Sequence, residues 1–284
     1  MAMPTKLSGE DSRSEGEGRP GSGKIVGATI NTMRILRHLS RLDRPVGVSF
    51  IARDTNIVPS TCFNILRTLV NEGYVRFLPD TKTYMIGDGV IGLANVGMAH
   101  HDYLAAVQPM MERIAHSYSV TVTIWRRVSY HRMILLASAE NRSALRIQMN
   151  VGHQLPLLIG GMARIMALQS DLSEDERQTM YGGLRIQRPL AYWDFIDQAK
   201  EALDRGWGID DGYSTAGVTA LAAPVRFDGP PITMVCSATM FRDQHDSATL
   251  TRIGHELIEL ATSVAQVVPA SEQAPVFPRP MSQR

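Results

Sequence analysis

Two stretches of this 284-residue sequence place side chains or backbone groups where they could do chemistry. The first is Ser49 to Val75, SFIARDTNIVPSTCFNILRTLVNEGYV. In its second half, Ser60, Thr61, Asn64, Arg67 and Thr68 fall to one side of a helix, and Phe63, Leu66 and Val70, flanked by Ile65 and Leu69, form an apolar stripe. Hydroxyl, amide and guanidinium groups on one exposed face are hydrogen-bonding partners for phosphate oxygens and base edges. The second stretch is Leu155 to Arg164, where Gly160 and Gly161 stand at the entrance of a helical pattern running to about Gln169. Two glycines there let another group approach free backbone N–H donors at the positive end of the helix dipole, a setting that suits a carboxylate. Both stretches also have plain readings, a three-helix core and a tight turn, which periodicity and spacing alone leave open.

The polar helix face needs other elements to hold it. Ser49 reads as a polar starter for a helix over Ser49 to Thr55, with Ile51 and Ala52 apolar and small where a second helix crosses. Asn56 is a turn residue, and Pro59 presets φ for the second helix, Ser60 to Glu72, which Gly73 ends. Upstream, Ile25 to Leu42 reads as a helix with Ile30, Met33, Leu36 and Leu39 as its core face, closed by Pro45. Downstream, Tyr74 to Phe77 and Thr83 to Ile86 form a hairpin across Pro79 to Lys82, with Arg76 and Lys82 where a wing could reach phosphate. A helix-turn-helix followed directly by a β-wing is a DNA-binding arrangement.

The residues Ser60-Thr61-Cys62-Phe63-Asn64-Ile65-Leu66-Arg67-Thr68-Leu69, followed by Glu72-Gly73-Tyr74-Val75, resemble the recognition helix of IclR-type transcriptional regulators, whose usual form is S-T-V-H-R-L-L-x-T-L-x-x-x-G-Y-V. Asn64 stands where the family commonly has Arg. Asn bonds bidentately to adenine and Arg prefers guanine, so the operator is expected to differ from the family's commonest pattern. The DNA-binding set expected is Ser49, Ser60, Thr61, Asn64, Arg67, Thr68, Arg76 and Lys82. The resemblance covers nearly all of Ile25 to Val268. It implies an α/β protein: an N-terminal winged helix-turn-helix plus a GAF-like α/β effector domain with an antiparallel sheet. The expected partition is a disordered tail over 1–24, the head over 25–87, a linker helix over 88–100, an effector-binding and oligomerisation domain over 101–268, and a second disordered tail over 269–284.

Within the larger domain, Leu155 to Arg164 resembles the family's L-P-L-H-A-T-A-x-G-K-A, with Leu158, Gly160 and Arg164 as departures. Its Leu-Pro-Leu-Leu form is similar to family members that sense hydroxyphenylpropionate-like aromatic acids. Gly206 to Thr239 resembles G-x-G-x-D-x-E-E … G … A-A-P-V … S-x-S, with Gly212 and Tyr213 replacing the acidic pair. Carried over position by position, the resemblance implies an effector-facing set of Gly161, Met162, Asp210, Val218, Ala220, Ser237 and Thr239. N–H groups at Gly161 and Met162 would take a carboxylate, Ser237 and Thr239 would donate hydrogen bonds, and Asp210 would accept from a ligand hydroxyl. Residues 218/220 and 237/239 would share one face of adjacent strands. Ordinary sheet hydroxyls and a loop acid are the competing account.

The remaining pattern supplies the frame. Asp102 to Tyr118, Tyr192 to Arg205 (stopped by Gly206) and Ser247 to Val268 read as amphipathic helices, and Ser173 with Glu176 as a capping box. Val120 to Trp125, Met133 to Leu136, Leu145 to Met149, Gly217 to Pro224 and Ile232 to Thr239 read as strands.

Composition narrows the class. At 44% hydrophobic and 20% charged, the chain is ordinary for a globular protein. No run of 18 apolar residues and no signal core occur, so neither a membrane partner nor secretion is expected, and the two cysteines, Cys62 and Cys236, fit a reducing cytoplasm. Lys24 to Tyr84 holds nine Lys/Arg against four Asp/Glu, whereas residues 85–284 hold 17 against 20, so a basic head joins an acidic body. Gly18 to Lys24 matches most of a phosphate-binding loop, but Ile25 stands where a Mg²⁺-binding hydroxyl belongs and no strand precedes it. The histidines are scattered, including the pair His100-His101, and His255-Glu256 lacks the second His of a zinc helix. No metal, cofactor or catalytic residue is therefore expected. The reading is a ligand-responsive, non-enzymatic regulator of a catabolic operon. Its expected partners are double-stranded operator DNA, a small aromatic carboxylic acid, and further copies of itself in a homodimer or homotetramer. A small-molecule hydrolase and a ligand-independent DNA-binding protein are the rival readings.

Overall fold

The computed structural model describes residues 26–99, 102–141, 143, 145–228 and 231–273. The tail expected over 1–24 with its phosphate-loop-like run, the pair His100-His101, and residues 274–284 lie outside the described residues. The chain divides after Leu93 into two compact units.

The first unit orders as α1 (Gly27–Leu39), β1 (Val46–Gly47), α2 (Val48–Thr55), α3 (Pro59–Asn71), β2 (Val75–Leu78) and β3 (Thr83–Ile86); α4 (Gly89–Ala99) runs across the division. The strands form a three-stranded antiparallel sheet in the order β1-β3-β2. Asn56 takes a left-handed conformation, φ 54°, and closes α2, and Pro59 occupies the first turn of α3. The core gathers Ile35, Ile51, Cys62, Leu66, Val75 and Tyr84 from all three helices and the sheet.

Three local expectations are corrected here. Ile30 and Met33 are 40% and 48% exposed, and Ile35 is the buried residue of α1. Apolar residues at steps of three spiral round a 3.6-residue helix, so Ile30 and Leu39 lie about 180° apart and cannot share a face. Ser49 is inside α2, whose cap position is Gly47, so it starts no helix. Phe63 is 45% exposed, because Cys62, Leu66 and Leu69 define the buried side of α3 and Phe63 sits about 100° round from Cys62.

The second unit begins with a 3₁₀ turn (Asp102–Ala106) and continues α5 (Gln108–Tyr118), β4 (Thr121–Ser129), β5 (Arg132–Ala139), β6 (Gln154–Pro156), α6 (Gly160–Gln169), α7 (Glu174–Gly182), α8 (Tyr192–Arg205), β7 (Gly208–Asp211), β8 (Val218–Val225), β9 (Met234–Phe241), α9 (Ser247–Val267) and α10 (Ala270–Gln273). The strands make a six-stranded sheet in the order β6-β5-β4-β9-β8-β7, antiparallel at every pairing. Side chains alternate between its faces. Ile124, Leu221, Cys236 and Ala238 pack with α5 and α9, whereas Trp125, Leu135, Ala222 and Val235 pack with α6 and α8. The capping box forms: Ser173 N–H donates to Glu176 at 2.7 Å, and Glu176 N–H donates to Ser173 Oγ.

Leu145 to Met149 is irregular rather than a strand. The outer edge of β5 is taken by β6 and by the bonds that Leu135 makes to Gly152 and His153, so the alternating run finds no ladder; Thr121 Oγ1 holds it through the Ile147 carbonyl. Within the disordered tail expected over 269–284, residues Ala270–Gln273 form α10. Glu272 of α10 pairs with Arg126 and accepts from the Tyr103 hydroxyl at 2.7 Å, which ties the chain back to β4.

Leu66 is fully buried at the crossing of α3 with the rest of a small core. Leu66→Ala is expected to destabilise the head by about 2–5 kcal/mol, read by urea denaturation of the full chain; a cost under about 1 kcal/mol would refute this packing.

Candidate functional site: nucleic-acid interface and ligand pocket

In the first unit, α3 presents Ser60, Phe63, Asn64, Arg67, Thr68 and Asn71 outward. The side chains of Ser60, Asn64 and Arg67 have no hydrogen-bond partner among the described residues, and Thr61 is half-buried. The Thr68 hydroxyl donates to the Asn64 carbonyl at 3.0 Å, so it is engaged within the helix. No side chain caps the start of α3, which leaves first-turn N–H groups at Ser60 and Thr61 to meet an anion. No acidic residue lies between Pro59 and Asn71. Ser49 is exposed in the first turn of α2, and Lys82 is exposed in the wing turn with φ 52°.

Arg76 is not free as expected: its guanidinium lies 2.6 Å from Asp88, immediately before α4. Both side chains are largely exposed, so the bridge is weak, at roughly 0–1 kcal/mol. The same junction is fastened by backbone. Gly87 N–H donates to Tyr74 O at 2.9 Å and Gly89 N–H to Gly73 O at 3.0 Å. A Cβ at Gly87 would stand 2.4 Å from the Gly73 oxygen, so only glycine fits.

In the second unit, a cavity of about 230 Å³ lies over the α6/α8 face of the sheet. The expected residues Gly161, Met162, Asp210, Val218, Ala220, Ser237 and Thr239 all line it. The register explains the grouping: Ala220 pairs with Thr239 and with Asp210, and Ala222 with Ser237, so these positions share one face of β7, β8 and β9. Small residues there leave the space. Gly161 has a further reason to lack a side chain, since its Cβ would stand 2.4 Å from the Ala220 oxygen, and α6 could then not lie against β8.

The hydrogen-bonding capacity of the wall is uneven. At the α6 entrance, Gly160 N–H donates to Ser214 Oγ at 2.9 Å, and the Gly161 and Met162 N–H groups have no partner among the described residues. Ser237 Oγ donates to Leu221 O at 2.6 Å, which leaves it only acceptor capacity. The Thr239 hydroxyl has no partner among the described residues.

Asp210 differs from expectation. Its carboxylate accepts from Arg164 at 3.1 Å, from the Ser214 hydroxyl and from the N–H groups of Tyr213 and Ser214. Both charged side chains are at most 3% exposed. Arg164 also reaches Gln198 Oε1 at 2.9 Å and Gly160 O at 3.1 Å, between the rings of Phe195 and Tyr213. Burial pushes the Arg164 guanidinium below its usual pKa, and the Asp210 charge pulls it back up. With its oxygens occupied, Asp210 braces the wall and has little left to accept from a ligand. Sequence reasoning registered Arg164 only as a departure from a family Lys, because nothing in the spacing pairs it with a residue 46 positions later.

The sequence also missed Trp125, Gln148, His153 and Thr215, which line the same cavity. The Trp125 Nε1 donates to Thr123 Oγ1 at 2.9 Å, while the side chains of Gln148, His153 and Thr215 make no hydrogen bond among the described residues. Gln148 and His153 belong to the irregular run before β6, where no periodicity marks a facing side chain.

Removing one member of a buried, satisfied ion pair strands the other. Asp210→Ala is expected to cost about 3–5 kcal/mol in thermal or urea unfolding of the body. The double variant Arg164→Met/Asp210→Leu should cost clearly less than the sum of the two single changes; strict additivity would mean the pair is not coupled.

Two family models match this chain. The IclR helix-turn-helix domain matches residues 28–79, and the C-terminal domain of the bacterial transcriptional regulator IclR matches residues 97–266. The chain is 26% identical over 198 residues to the glycerol operon regulatory protein of Streptomyces griseus, across 68% of this chain and 76% of that one. It is 24% identical over 221 residues to the HTH-type transcriptional repressor AllR of Escherichia coli (strain K12), across 74% and 80%. Among solved structures, an IclR transcriptional regulator from Alicyclobacillus acidocaldarius superposes with TM-score 0.73 at 24% identity, over 87% of this chain and all (100%) of that one. An IclR homolog from Microbacterium hydrocarbonoxydans, solved in complex with 4-hydroxybenzoate, gives TM-score 0.66 at 18% identity, over 85% and 98%. With a family model spanning the winged head's helix-turn-helix and another spanning most of the body, the chain belongs to the IclR family of bacterial transcriptional regulators.

Proposed function

We propose that this regulator controls a catabolic operon in response to a small aromatic carboxylic acid, with α3 reading the operator and the body cavity holding the acid. The observation that carries the ligand half is the pairing of unpartnered N–H groups at Gly161 and Met162 with an unpartnered Thr239 hydroxyl around one cavity. The N–H groups and the helix dipole take the carboxylate. Ser237 offers an acceptor, Val218, Ala220 and Trp125 offer apolar wall, and Asp210 holds the wall in place through Arg164. A cavity of ~150 Å³ accommodates benzene, so about 230 Å³ leaves room for a single ring with its polar substituents. The 4-hydroxybenzoate bound by the Microbacterium hydrocarbonoxydans homolog is a ligand of that kind.

On the DNA side, Asn64 reaches a base edge, Ser60, Thr61, Arg67 and the start of α3 meet phosphate, and Ser49 and Lys82 add flanking contacts. Thr68 supports the helix, and Arg76 joins the contacts only when it leaves Asp88. The head over 25–87, the linker over 88–100 and the effector-binding body over 101–268 act as one chain in a homodimer or homotetramer, whose paired heads read two half-sites. The acid acts by binding more tightly to one arrangement of the heads than to another. It is bound and released unchanged.

Arg67→Ala is expected to weaken binding to duplex DNA from the adjoining intergenic region and to lower the log–log salt slope by about one, read by gel shifts over a salt series. An unchanged slope and affinity would take Arg67 out of the contact set.

Thr239→Val is expected to weaken benzoate-class acids by about five-fold, the worth of one hydrogen bond near 1 kcal/mol, with ligand-free DNA binding intact. Calorimetry against benzoate and 4-hydroxybenzoate reads this. Acids that bind the variant as tightly as the parent would refute the pocket assignment, and an acid consumed during the titration would overturn the regulator reading in favour of an enzyme.

A further inference from the structure

The outward face of α3 carries one residue that does not match its neighbours. Ser60, Asn64 and Arg67 are polar or charged, and Phe63 stands among them at the i+3 position from Ser60, 45% exposed. The buried side of the helix is already filled by Cys62, Leu66 and Leu69, so Phe63 is not a displaced core residue. Its ring therefore shares a face that offers hydrogen bonds and positive charge, on a helix that carries no acidic residue. A partner that suits the whole face must be anionic, rich in donors and acceptors, and apolar at one spot. The major groove of duplex DNA has this composition, and its one apolar group is the 5-methyl of thymine, which aromatic side chains contact.

We propose that Phe63 reads a thymine 5-methyl group directly, beside an adenine read by Asn64, so that the half-site is built of A·T pairs where α3 enters the groove. The proposal rests on the reading of α3 as the groove-reading helix and adds the identity of the bases. The two side chains lie next to each other in sequence, about 100° apart around the helix, and point into the same groove from either side of the line through Ser60 and Arg67. Asn64 supplies the donor and acceptor for the adenine edge, and Phe63 covers the methyl that adenine lacks. Arg67, one turn beyond Phe63, then holds a backbone phosphate.

The test uses the full chain and needs no prior operator. Selection from a randomised duplex library defines the preferred half-site, and each thymine in it is then replaced singly by deoxyuridine, which removes only the methyl group. At one thymine, the parent protein is expected to lose about four-fold in affinity, the worth of one buried methyl. Phe63→Ala is expected to bind the thymine site more weakly and to be indifferent to uracil there, with an unchanged melting curve, since the side chain supports no core. Preferred half-sites without adjacent A·T pairs, a parent protein insensitive to uracil at every thymine, or a Phe63→Ala variant that keeps the parent's sensitivity would each overturn the proposal. Failure to enrich any duplex at all is a different result: it removes the DNA-reading role of α3, and this assignment with it.

Discussion

The body is arranged around a charge that has to be kept out of water. Arg164 lies in the middle of α6, on a helix otherwise buried among Met162, Ala163, Ile165 and Met166, and Asp210 comes to it from the end of β7. An unpaired guanidinium there would cost several kcal/mol, so the neighbourhood is built to satisfy it. Gln198 comes from α8, Gly160 O from the preceding turn, and Ser214 closes the carboxylate from the other side. Those bonds fix the relative position of α6, α8 and the loop after β7. The cavity is the space left between that braced group and the small residues of the sheet.

This arrangement separates two kinds of polar group that a list of lining residues would merge. Asp210 and Ser214 spend their capacity on the scaffold, whereas Thr239, Gln148, His153 and Thr215 keep theirs for whatever enters. The unengaged polar capacity of the cavity thus lies in side chains and backbone N–H donors outside the Arg164–Asp210 pair. Donors of fixed geometry discriminate shape and hydrogen-bond pattern, which suits a ligand-responsive regulator.

The sequence showed the architecture well wherever a local rule decides the outcome. Asn56, Pro59, Ser173 and Gly206 mark turns, caps and stops by their own backbone and side-chain preferences, and the structure places them so. It failed where the outcome depends on which neighbour is present. Ile30 and Met33 look like core in a three-residue rhythm, yet only the crossing of the helices says which side of α1 faces inward. Leu145 to Met149 alternate like a strand but meet an edge already occupied. The pocket was legible only in part. Motif positions on β8 and β9 could be carried over residue by residue, but the engagement of Asp210 by Arg164 and the arrival of His153 depend on tertiary packing that no spacing rule encodes.

The junction between the wing and α4 has a mechanical consequence. A run such as Gly87-Asp88-Gly89 looks pliable on paper, yet here its glycines permit intimate backbone contact with Gly73 and Tyr74, the turn that follows α3. Two backbone bonds hold Gly87 and Gly89 against Gly73 and Tyr74 in the turn between α3 and β2, and the exposed Arg76 bridge adds little to them. A methyl group at either glycine would wedge the start of α4 away from that turn.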